Sequence, residues 1–486
     1  MTWRRRSPSV VRVRVAISGG SAVGATSALL FARSGWEVLL VEPETRRFVG
    51  DGGLPETAPR PGAPHAVHAH GLMSRARYEL RHRLPDVYDD LLAHGGTEVT
   101  LDRLCPPALV DGGRDQDDDF TCLRSRRVLL DHTLGTAVRA TREIVEIASR
   151  ATGLEIDATG SVPRVTGVRV DGATERADLV IDAGGRRSPV SSWLARAGVE
   201  QPVQVDPGEV TYYSRHYRFE RELRMNRGFA DAHLFGSVHQ FMFLGDSSTA
   251  MVALCTHDAD PLLKRLRHPE ACEAVLGANE DFAEWYAVLE PVSPVFALGS
   301  IDNRMRSLVR DGRPLVRGPA QVGDSLAMTN PTRGRGISMG LAAAGRLHDL
   351  AQEHTGDDLT HSYDAWQRDS LAPYYREASA SDTTMTSALR ASLHGTPVPP
   401  NAPDLELPHG HPVSADEVER AARLDPDLFR VVLRASMVLD DERRIASPEV
   451  VERVRRIGAP AAAPAPPPTR RLDDRAELVG LLADYA

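Results

Sequence analysis

Residues 11–42 read VRVRVAISGGSAVGATSALLFARSGWEVLLVE, and this stretch decides the fold. An alternating run of β-branched residues from Val11 to Ile17 predicts a buried strand. A glycine-rich turn, a helix of small residues over about 23–34 and a second apolar strand, Glu37–Val41, follow in that order. This succession predicts a βαβ unit and an α/β fold.

The turn resembles a dinucleotide-binding loop in its spacing. Gly19, Gly20, Ser21 and Gly24 stand between the strand and the helix, where backbone N–H groups and the helix N-terminus can meet a pyrophosphate. Glu42 follows Gly24 by 18 residues, at the end of the second strand, and is placed to accept hydrogen bonds from a ribose. Serine replaces the middle glycine of the usual GxGxxG pattern, so a βαβ unit without a ligand stays an alternative.

Bulk composition argues against several classes of protein. The chain has 486 residues, of which 42% are hydrophobic and 26% charged, as in globular enzymes. A net charge of -9 argues against a nucleic-acid partner, and no uncharged apolar run approaches the roughly 18 residues of a membrane span. Four cysteines without CxxC spacing indicate reduced thiols and a cytoplasmic protein. Residues 1–10 lack the apolar core of a secretory signal, so we expect a disordered leader.

Three histidines, His65, His68 and His70, follow a loop rich in glycine and proline over residues 43–64. Their spacing is compatible with a metal site, but no cysteine or carboxylate nearby completes a ligand set. We therefore predict no metal, and the sequence assigns these histidines no role.

A second glycine-containing segment follows a strand that ends on Gly323 and Asp324. Pro331, Gly334 and Gly336 then lead into a helix of small residues over 337–350. Such a helix start can offer N–H groups and the positive end of the helix dipole to a developing anion. The alternative interpretation is a strand-loop-helix packing element.

Further polar groups lie next to apolar segments and could face the same ligand. Asp182 ends an apolar strand and is followed by paired glycines and Arg186. Arg127 precedes a helix, where an arginine can neutralise a phosphate charge or lie on the surface, and the sequence favours neither.

Residues 209–300 contain longer alternating strands with aromatic residues, which predicts an antiparallel sheet and a second domain. Most of these aromatics are expected in the core, while a minority lines a substrate pocket; the candidates are Tyr212, Phe235, Phe241 and Phe243.

Upstream, residues 72–92 predict a helix, and the aspartates within 115–119 predict a solvated hairpin tip. Helices dominate from residue 360, with an extended alanine- and proline-rich linker over 459–468.

Together these motifs resemble the FAD-dependent monooxygenases of the aromatic-hydroxylase type, the group A flavoproteins. Within that group the chain is most similar to the natural-product branch that includes polyether epoxidases. Over residues 11–376, three motifs carry the resemblance: the GGSAVG turn with Glu42, the Asp182-Ala183-Gly184-Gly185-Arg186 segment, and Gly323-Asp324 followed by Pro331, Gly334 and Gly336. Arg127 and the His68-Ala69-His70 segment support it.

The resemblance implies a Rossmann-like FAD-binding domain with an inserted antiparallel-sheet substrate domain and a C-terminal helical region. The FAD-binding domain would be discontinuous, over residues 11–205 and 301–380. The substrate domain would span residues 206–300, and the helical region would span 381–486.

The resemblance also implies roles for single residues. The glycine turn would contact the FAD pyrophosphate and Glu42 the adenosine ribose, with Arg127 at the side of the cofactor. Gly323 and Asp324 would hold the ribityl-pyrophosphate region. Gly334 and Gly336 would lie at the flavin N1/O2 edge, and Pro331 would lie beside the isoalloxazine ring. Asp182 and Arg186 would belong to a signature tied to FAD and to nicotinamide handling.

The implied activity is monooxygenation with FAD as cofactor, NADPH or NADH as reductant and O2 as the second substrate. A flavin C4a-hydroperoxide would transfer one oxygen atom, by hydroxylation or epoxidation, to a small natural-product-like molecule. The alternatives are a flavin-dependent dehydrogenase or reductase on the same scaffold, and a non-catalytic flavin-binding partner protein. A halogenase is disfavoured because the five tryptophans form no WxWxIP signature. The sequence sets neither the substrate nor the oligomeric state.

Overall fold

The structure is a computed structural model that describes residues 13–45, 54–225, 230–299, 301–396, 412–440, 444–458 and 471–485. The expected leader over residues 1–10 and the expected linker over 459–468 lie outside these ranges. Within the described ranges, no helix combines the length and the apolar character needed to cross a membrane.

A five-stranded parallel sheet includes both strands of the opening motif. In spatial order its strands are β20 (Pro319–Gln321), β9 (Leu179–Asp182), β1 (Arg14–Ser18), β2 (Glu37–Val41) and β5 (Ile144–Ile147). Helix α1 (Ala22–Arg33) connects β1 to β2, as the sequence predicts. Because neighbouring strands are parallel, their carboxyl ends meet at one edge, where a ligand of an α/β fold binds.

Alternate residues of this sheet pack toward opposite sides. Val15 and Ile17 join a core with helices, whereas Ala16 joins a core with a small antiparallel sheet. The helices are α1, α2 (Ser74–Arg83), α3 (Pro85–Ala93), α6 (Arg127–Ala140), α10 (Gly336–Glu353) and α11 (Gly356–Trp366). The other side carries β6 (Ala151–Asp157), β7 (Arg164–Val170), β8 (Ala173–Arg176) and α7 (Val190–Arg196). The single helix expected over 72–92 is wrong, because Pro85 starts a second helix there.

A larger antiparallel sheet lies within residues 210–299. Its strands are β11 (Val210–Phe219), β12 (Ala230–Leu234), β13 (His239–Leu244), β14 (Thr249–His257), β15 (Leu289–Pro291) and β16 (Phe296–Gly299). One face packs on α8 (Pro269–Gly277), α9 (Ala283–Tyr286) and α16 (Arg475–Leu482). The opposite face packs against Met385 and Leu389 of α12 (Ala372–His394).

The remaining elements connect these layers. They are β3 (Thr97–Val99), β4 (Cys122–Arg124), β10 (Val203–Asp206), β17 (Asn303–Arg306), β18 (Val309–Arg310), β19 (Arg313–Pro314), β21 (Ala327–Met328), α4 (Leu101–Leu104) and α5 (Pro107–Val110). Helices α13 (Ala415–Ala422), α14 (Pro426–Ser436) and α15 (Pro448–Ile457) share a core, and we call them the C-terminal bundle. The predicted mixture of α/β structure, antiparallel sheets and C-terminal helices is confirmed. The expected domain boundary after residue 380 falls inside α12.

Candidate functional site

The glycine turn closes against the end of β9. Gly19 adopts φ +103°, in the left-handed region, and its N–H donates to the Val41 carbonyl at 2.9 Å. A Cβ on Gly19 would lie 2.4 Å from the Ala183 carbonyl oxygen, and a Cβ on Gly24 would lie 1.8 Å from the Gly19 carbonyl oxygen. Both positions therefore exclude a side chain, and the start of α1 lies at the sheet edge.

Glu42 directly follows β2 and lies next to the turn. Its Oε2 accepts the Gly20 N–H at 2.6 Å, and its Oε1 accepts the Glu44 N–H at 2.8 Å. Arg60 pairs with Glu42 at 2.8 Å and with Glu44 at 3.1 Å. Burial alone would lower the pKa of Arg60, but Glu42, Asp131 and Glu44 outweigh burial and raise it. Arg60 stands in a glycine- and proline-rich loop without a motif, so nothing in the sequence marks this contact.

Arg127 is the first residue of α6 and contacts the glycine turn from the side. Its guanidinium donates to the Ser21 hydroxyl and, at 2.9 Å, to Asp131. Arg127 is 5% exposed. Of the two interpretations that the sequence leaves open for this arginine, the surface position is therefore wrong. The Ser21 side chain does not cap α1, and the first N–H groups of that helix have no side-chain partner at this position.

Asp182 braces the carboxyl ends of two strands. Its buried carboxylate accepts hydrogen bonds from the Gly184 N–H at 3.0 Å, the Ser188 hydroxyl at 2.7 Å and Gln321 Nε2 at 3.0 Å. Burial raises the pKa of Asp182, and these three donors oppose the shift. Because internal donors occupy both oxygens, the geometry favours a bracing role over the cofactor contact that the motif implies.

Asp324 lies on the turn Gly323–Ser325 that follows β20. Among the described residues, no group donates a hydrogen bond to its carboxylate. Burial raises the pKa of Asp324, and the guanidinium groups of Arg127, Arg186 and Arg306 oppose that shift. Burial also lowers the pKa of Arg186 and of Arg306. Arg127 also pairs with Asp131 at 2.9 Å, and guanidinium groups placed in this way can bind the phosphates of a dinucleotide.

The turn Pro331–Arg333 leads through Gly334 (φ +64°) into α10, which begins at Gly336. A Cβ on Gly336 would meet no atom within 4 Å, so open space adjoins the helix start. A Cβ on Gly334 would lie 3.8 Å from Phe243 Cζ and 4.0 Å from Met73 Cε. The turn therefore lies against β13 of the antiparallel sheet, and the positive end of the α10 dipole adjoins the open space.

A buried polar network holds this turn from behind. Asn303 accepts the Asn330 N–H at 2.6 Å and donates to Asp382 at 2.6 Å, while Thr332 donates to the other Asp382 oxygen at 3.0 Å. The Tyr212 hydroxyl donates to Asn330. Burial raises the pKa of Asp382 to about 6, and the two donors oppose the shift. The network ties the turn to α12, and no sequence motif marks it.

The three histidines lie between the glycine turn and the antiparallel sheet. Burial lowers the pKa of His65, His68 and His70 to about 3, so all three imidazoles are neutral at pH 7. His68 Nδ1 lies 2.8 Å from Ser214 Oγ on β11, and His70 Nδ1 lies 2.8 Å from the His68 carbonyl oxygen. Across the described part of the chain, no three His, Cys, Asp or Glu side chains are arranged to hold a metal ion.

Three of the four aromatic pocket candidates share one face of the antiparallel sheet. Tyr212 and Phe241 pack in the cluster with Met385 and Leu389, and Phe243 contacts the Gly334 turn. Phe235 is different, because it is 3% exposed and packs on the opposite face with α8 and α16. We therefore exclude Phe235 from the candidate pocket. A one-residue change of register exchanges the two faces of a strand, and the sequence does not fix that register.

Contacts and charges join these groups at the sheet edge. Glu42 contacts the glycine turn through the Gly20 N–H, and Gly336 begins α10 beside open space. The contact between Arg127 and Ser21, together with the charge of Arg127 near Asp324, joins the two glycine-containing segments. An extended dinucleotide would meet cations for its phosphates and a helix start for its second ring system. Both Glu42 oxygens already accept hydrogen bonds from the chain, so a ribose hydroxyl would have to share or replace one of these donors.

No family model matches the chain. Protein Rv3254 of Mycobacterium tuberculosis strain H37Rv is 25% identical over 364 residues, which cover 65% of this chain and 73% of that protein.

Solved structures of flavin enzymes share the fold at low sequence identity. The p-nitrophenol 4-monooxygenase PnpA from Pseudomonas putida DLL-E4 has a TM-score of 0.59 at 15% identity, over 89% of this chain and 99% of PnpA. PqsL from Pseudomonas aeruginosa is named a probable FAD-dependent monooxygenase. It has a TM-score of 0.55 at 16% identity, over 79% of this chain and 100% of PqsL. The flavin-dependent brominase Bmp2 has a TM-score of 0.56 at 14% identity, over 92% of this chain and 97% of Bmp2. The chain therefore has the fold of these enzymes, as the sequence motifs predict.

Proposed function

We propose that the protein is an FAD-dependent monooxygenase that uses NADPH or NADH and O2 to hydroxylate or epoxidise a small, natural-product-like molecule. The observation that carries the proposal is the unpaired Asp324 carboxylate, which lies among three guanidinium groups between the two glycine-containing segments. A charge pattern of this kind, between a ribose-binding acid and an open helix start, suits an extended dinucleotide better than a mononucleotide. The fold shared with PnpA and PqsL supports the same conclusion.

The residues present fit FAD along its whole length. The first N–H groups of α1 and the Arg127 guanidinium would bind the pyrophosphate. Glu42 would accept hydrogen bonds from the adenosine ribose, which would share or replace the Gly20 and Glu44 N–H donors. Asp324 would accept hydrogen bonds from the ribityl-pyrophosphate region. Gly336 is open on its Cβ side, so the start of α10 can approach the flavin edge closely.

Bound FAD would supply the redox chemistry, taking two electrons from the nicotinamide and passing them to O2. One oxygen atom would enter the substrate, and the other would leave as water with the two electrons and two protons. The chain itself would orient the ligands and exclude water. The neutral imidazoles of His65, His68 and His70 suit this task, because they line the site without adding charge.

The proposal is tested by an absorption spectrum of the purified protein, followed by anaerobic addition of NADPH. We expect a flavin spectrum that is bleached by NADPH, and substrate-dependent O2 consumption when air is readmitted. A dehydrogenase or reductase would reduce the flavin without coupling O2 uptake to an oxygenated product. A non-catalytic binding protein would stay yellow without turnover. A colourless protein that FAD does not reconstitute would refute the proposal.

A pair of variants separates cofactor binding from substrate binding. Asp324→Ala should weaken FAD binding by roughly 10-fold or more, since a hydrogen bond to a charged group contributes about 1.5–3 kcal/mol. Phe241→Ala, on the antiparallel sheet, should change substrate affinity and leave FAD bound. Equal loss of FAD in both variants would contradict the assignment of these two residues to different parts of the site.

A further inference from the structure

A cavity of about 380 Å³ lies beside β20, the edge strand of the parallel sheet, between this strand and helices α10 and α11. We call it the β20 cavity. At about 10–15 Å³ for each water-sized sphere, it holds roughly 25–40 of them, whereas voids in close-packed interiors are rarely larger than one water. Val13, directly before β1, and Leu179, the first residue of β9, also line it. The cavity therefore runs along the side of the sheet and not across the carboxyl ends, where the cofactor is proposed to bind.

The walls of the β20 cavity are largely apolar. They include the side chains of Trp36, Val309, Leu347, Leu359 and Tyr363. Water in contact with such walls finds few hydrogen-bond partners, so an apolar ligand body would replace it with a gain in free energy.

The outer edge of β20 faces this cavity, because β20 pairs with β9 on its other edge only. Val180 N–H donates to the Gly318 carbonyl at 2.8 Å, so the backbone groups of Gly318 face β9. These groups alternate between the two edges along a strand. The N–H and C=O groups of Arg317, Pro319 and Gln321 therefore face the outer edge.

Most of the outer edge is already paired, and one acceptor and one donor are left. Arg317 exchanges two backbone hydrogen bonds, of 2.8 and 2.9 Å, with the chain at the start of β7. The Gln321 carbonyl accepts the Tyr363 hydroxyl at 3.0 Å. Pro319 has no N–H, so the Pro319 carbonyl and the Gln321 N–H remain. Neither has a hydrogen-bond partner among the described residues.

A buried side-chain amide lines the same cavity. Gln367 is 7% exposed and makes no side-chain hydrogen bond within the described part of the chain. It starts a π-helical turn, Gln367–Leu371, between α11 and α12, and such turns frequently lie at functional sites. Gln321 itself is 2% exposed. Since folded proteins rarely leave buried polar groups without partners, the amide and the backbone pair indicate a ligand.

Charged side chains in the walls already have partners. Asp178 accepts the backbone N–H of Arg14 at 2.9 Å, and Asp364 pairs with Arg368 at 3.0 Å. The Arg317 guanidinium pairs with an aspartate of α11. A charged ligand would have to compete for one of these groups, so the cavity favours an uncharged one.

We propose that the β20 cavity is a second small-molecule site, which takes a flat, uncharged molecule with an N–H donor beside a carbonyl acceptor, as in a lactam. The ligand N–H donates to the Pro319 carbonyl, and the ligand carbonyl accepts the Gln321 N–H, as one residue of a parallel strand would. The second lone pair of that carbonyl accepts from the Gln367 amide. Only one donor–acceptor pair is free on the strand edge, which fits a single lactam group and not a peptide strand.

Three matched probes test the preference by isothermal titration calorimetry on the full chain in the presence of excess FAD. 2-Quinolinone has the ring body, the donor and the acceptor, 1-methyl-2-quinolinone lacks the donor, and quinoline-2-carboxylate carries a charge. We expect 2-quinolinone to bind at least roughly 10-fold more tightly than either of the others, because both leave the Pro319 carbonyl without a donor. Equal affinities, or no binding of 2-quinolinone at about 1 mM, would overturn the inference.

Variants locate the binding. Thr360 lines the cavity and bonds only to the Gly356 carbonyl of its own helix, so Thr360→Trp should fill the space and remove binding. The matched control is His361→Trp, at the next position of α11, because His361 is exposed and does not line the cavity. Gln367→Leu should weaken 2-quinolinone binding by roughly 2- to 10-fold. Circular dichroism checks that each variant folds, and Gln367→Leu decides if Thr360→Trp does not.

The outcomes also separate this site from the proposed cofactor and substrate sites. Thr360→Trp should retain the FAD content of the wild type while it loses 2-quinolinone. Wild-type affinity for 2-quinolinone in Thr360→Trp and in Gln367→Leu would show that the probe binds elsewhere and would overturn the location. Equal losses in Thr360→Trp and His361→Trp would overturn it as well. Because the β20 cavity lies outside the FAD site, a protein without FAD that still discriminates among the probes would refute only the proposed function.

Discussion

The substitution Gly336→Ala separates an effect on protein stability from an effect on the binding of the proposed cofactor, FAD. Gly336 is the first residue of α10, and a Cβ there meets no protein atom within 4 Å. Gly480, within α16, likewise has nothing within 4 Å of a Cβ and lies on the far face of the antiparallel sheet, so Gly480→Ala is the matched control. Alanine is favoured over glycine in helices by about 0.5–1 kcal/mol, and by less at a helix end. Both variants should therefore fold at least as well as the wild type.

FAD binding should respond only at the first of these positions. If the flavin edge accepts hydrogen bonds from N–H groups at the start of α10, a methyl group on Gly336 would push it out of reach. Two such bonds contribute about 0.5–1.5 kcal/mol each, so the loss is about 1–3 kcal/mol. This corresponds to a Kd for FAD that is roughly 5- to 150-fold weaker.

The assay combines two measurements on the same preparations. Urea unfolding of the FAD-free proteins gives stability, and titration with FAD, followed by flavin fluorescence, gives affinity. Gly336→Ala with wild-type affinity for FAD would refute the placement of the flavin edge at α10. An equal loss of affinity in Gly480→Ala would show that the effect is not local.

The other predictions concern groups that hold the site together. Because burial raises the pKa of Asp382 from 3.8 to about 6, stability is full at pH values below 3.8 and is lost as the pH rises through about 6. Asp382→Asn should therefore match the wild type near pH 4 and exceed its unfolding free energy by up to about 3 kcal/mol at pH 8, and urea unfolding that shows no pH-dependent gap would contradict this. Arg60→Met should lower the unfolding free energy by about 3 kcal/mol, since Glu42 would lose its buried cation; a urea midpoint equal to that of the wild type would rule this out. Gly19→Ala should abolish soluble expression, because the new Cβ would lie 2.4 Å from the Ala183 carbonyl oxygen, and a soluble variant of wild-type melting temperature would disprove the argument.

Local patterns were sufficient for the opening motif. The second strand was predicted over Glu37–Val41 and has those bounds, and the first helix begins one residue before its predicted start. Both elements are set by interactions within a few residues, namely hydrophobic periodicity, small residues and a turn with glycines at fixed offsets. For the same reason the sequence places Glu42 beside the turn, where the structure has it.

Long-range pairing could not be predicted in the same way. The acidic turn around Asp117–Asp119 was expected to be a solvated hairpin tip, yet it is the docking surface of the C-terminal bundle. Arg430 and Arg434 reach it from more than 300 positions later in the chain. A run of aspartates has the same local pattern whether water or arginine faces it, so only the tertiary structure decides.

Asp182 and Asp324 show which information the structure adds to a motif. Both follow apolar strands of the same parallel sheet, and the sequence predicted a cofactor contact for each. The Asp182 carboxylate is saturated by three internal donors, whereas that of Asp324 has none among the described residues. Asp324 is only partly buried, so its carboxylate is available to accept hydrogen bonds from a ligand, whereas that of Asp182 is not.

The contrast between Asp182 and Asp324 also applies to their surroundings. Groups that hold the fold are paired, as Asp182 with Gln321 and Asp382 with Asn303 are. The Asp324 carboxylate, in contrast, has three guanidinium groups near it and no hydrogen-bond donor among the described residues. Open space also adjoins Gly336, at the start of α10. A carboxylate without an internal donor and a helix start beside open space are both features that a bound cofactor would complete, and this is why the cofactor is proposed to extend from Asp324 to the start of α10.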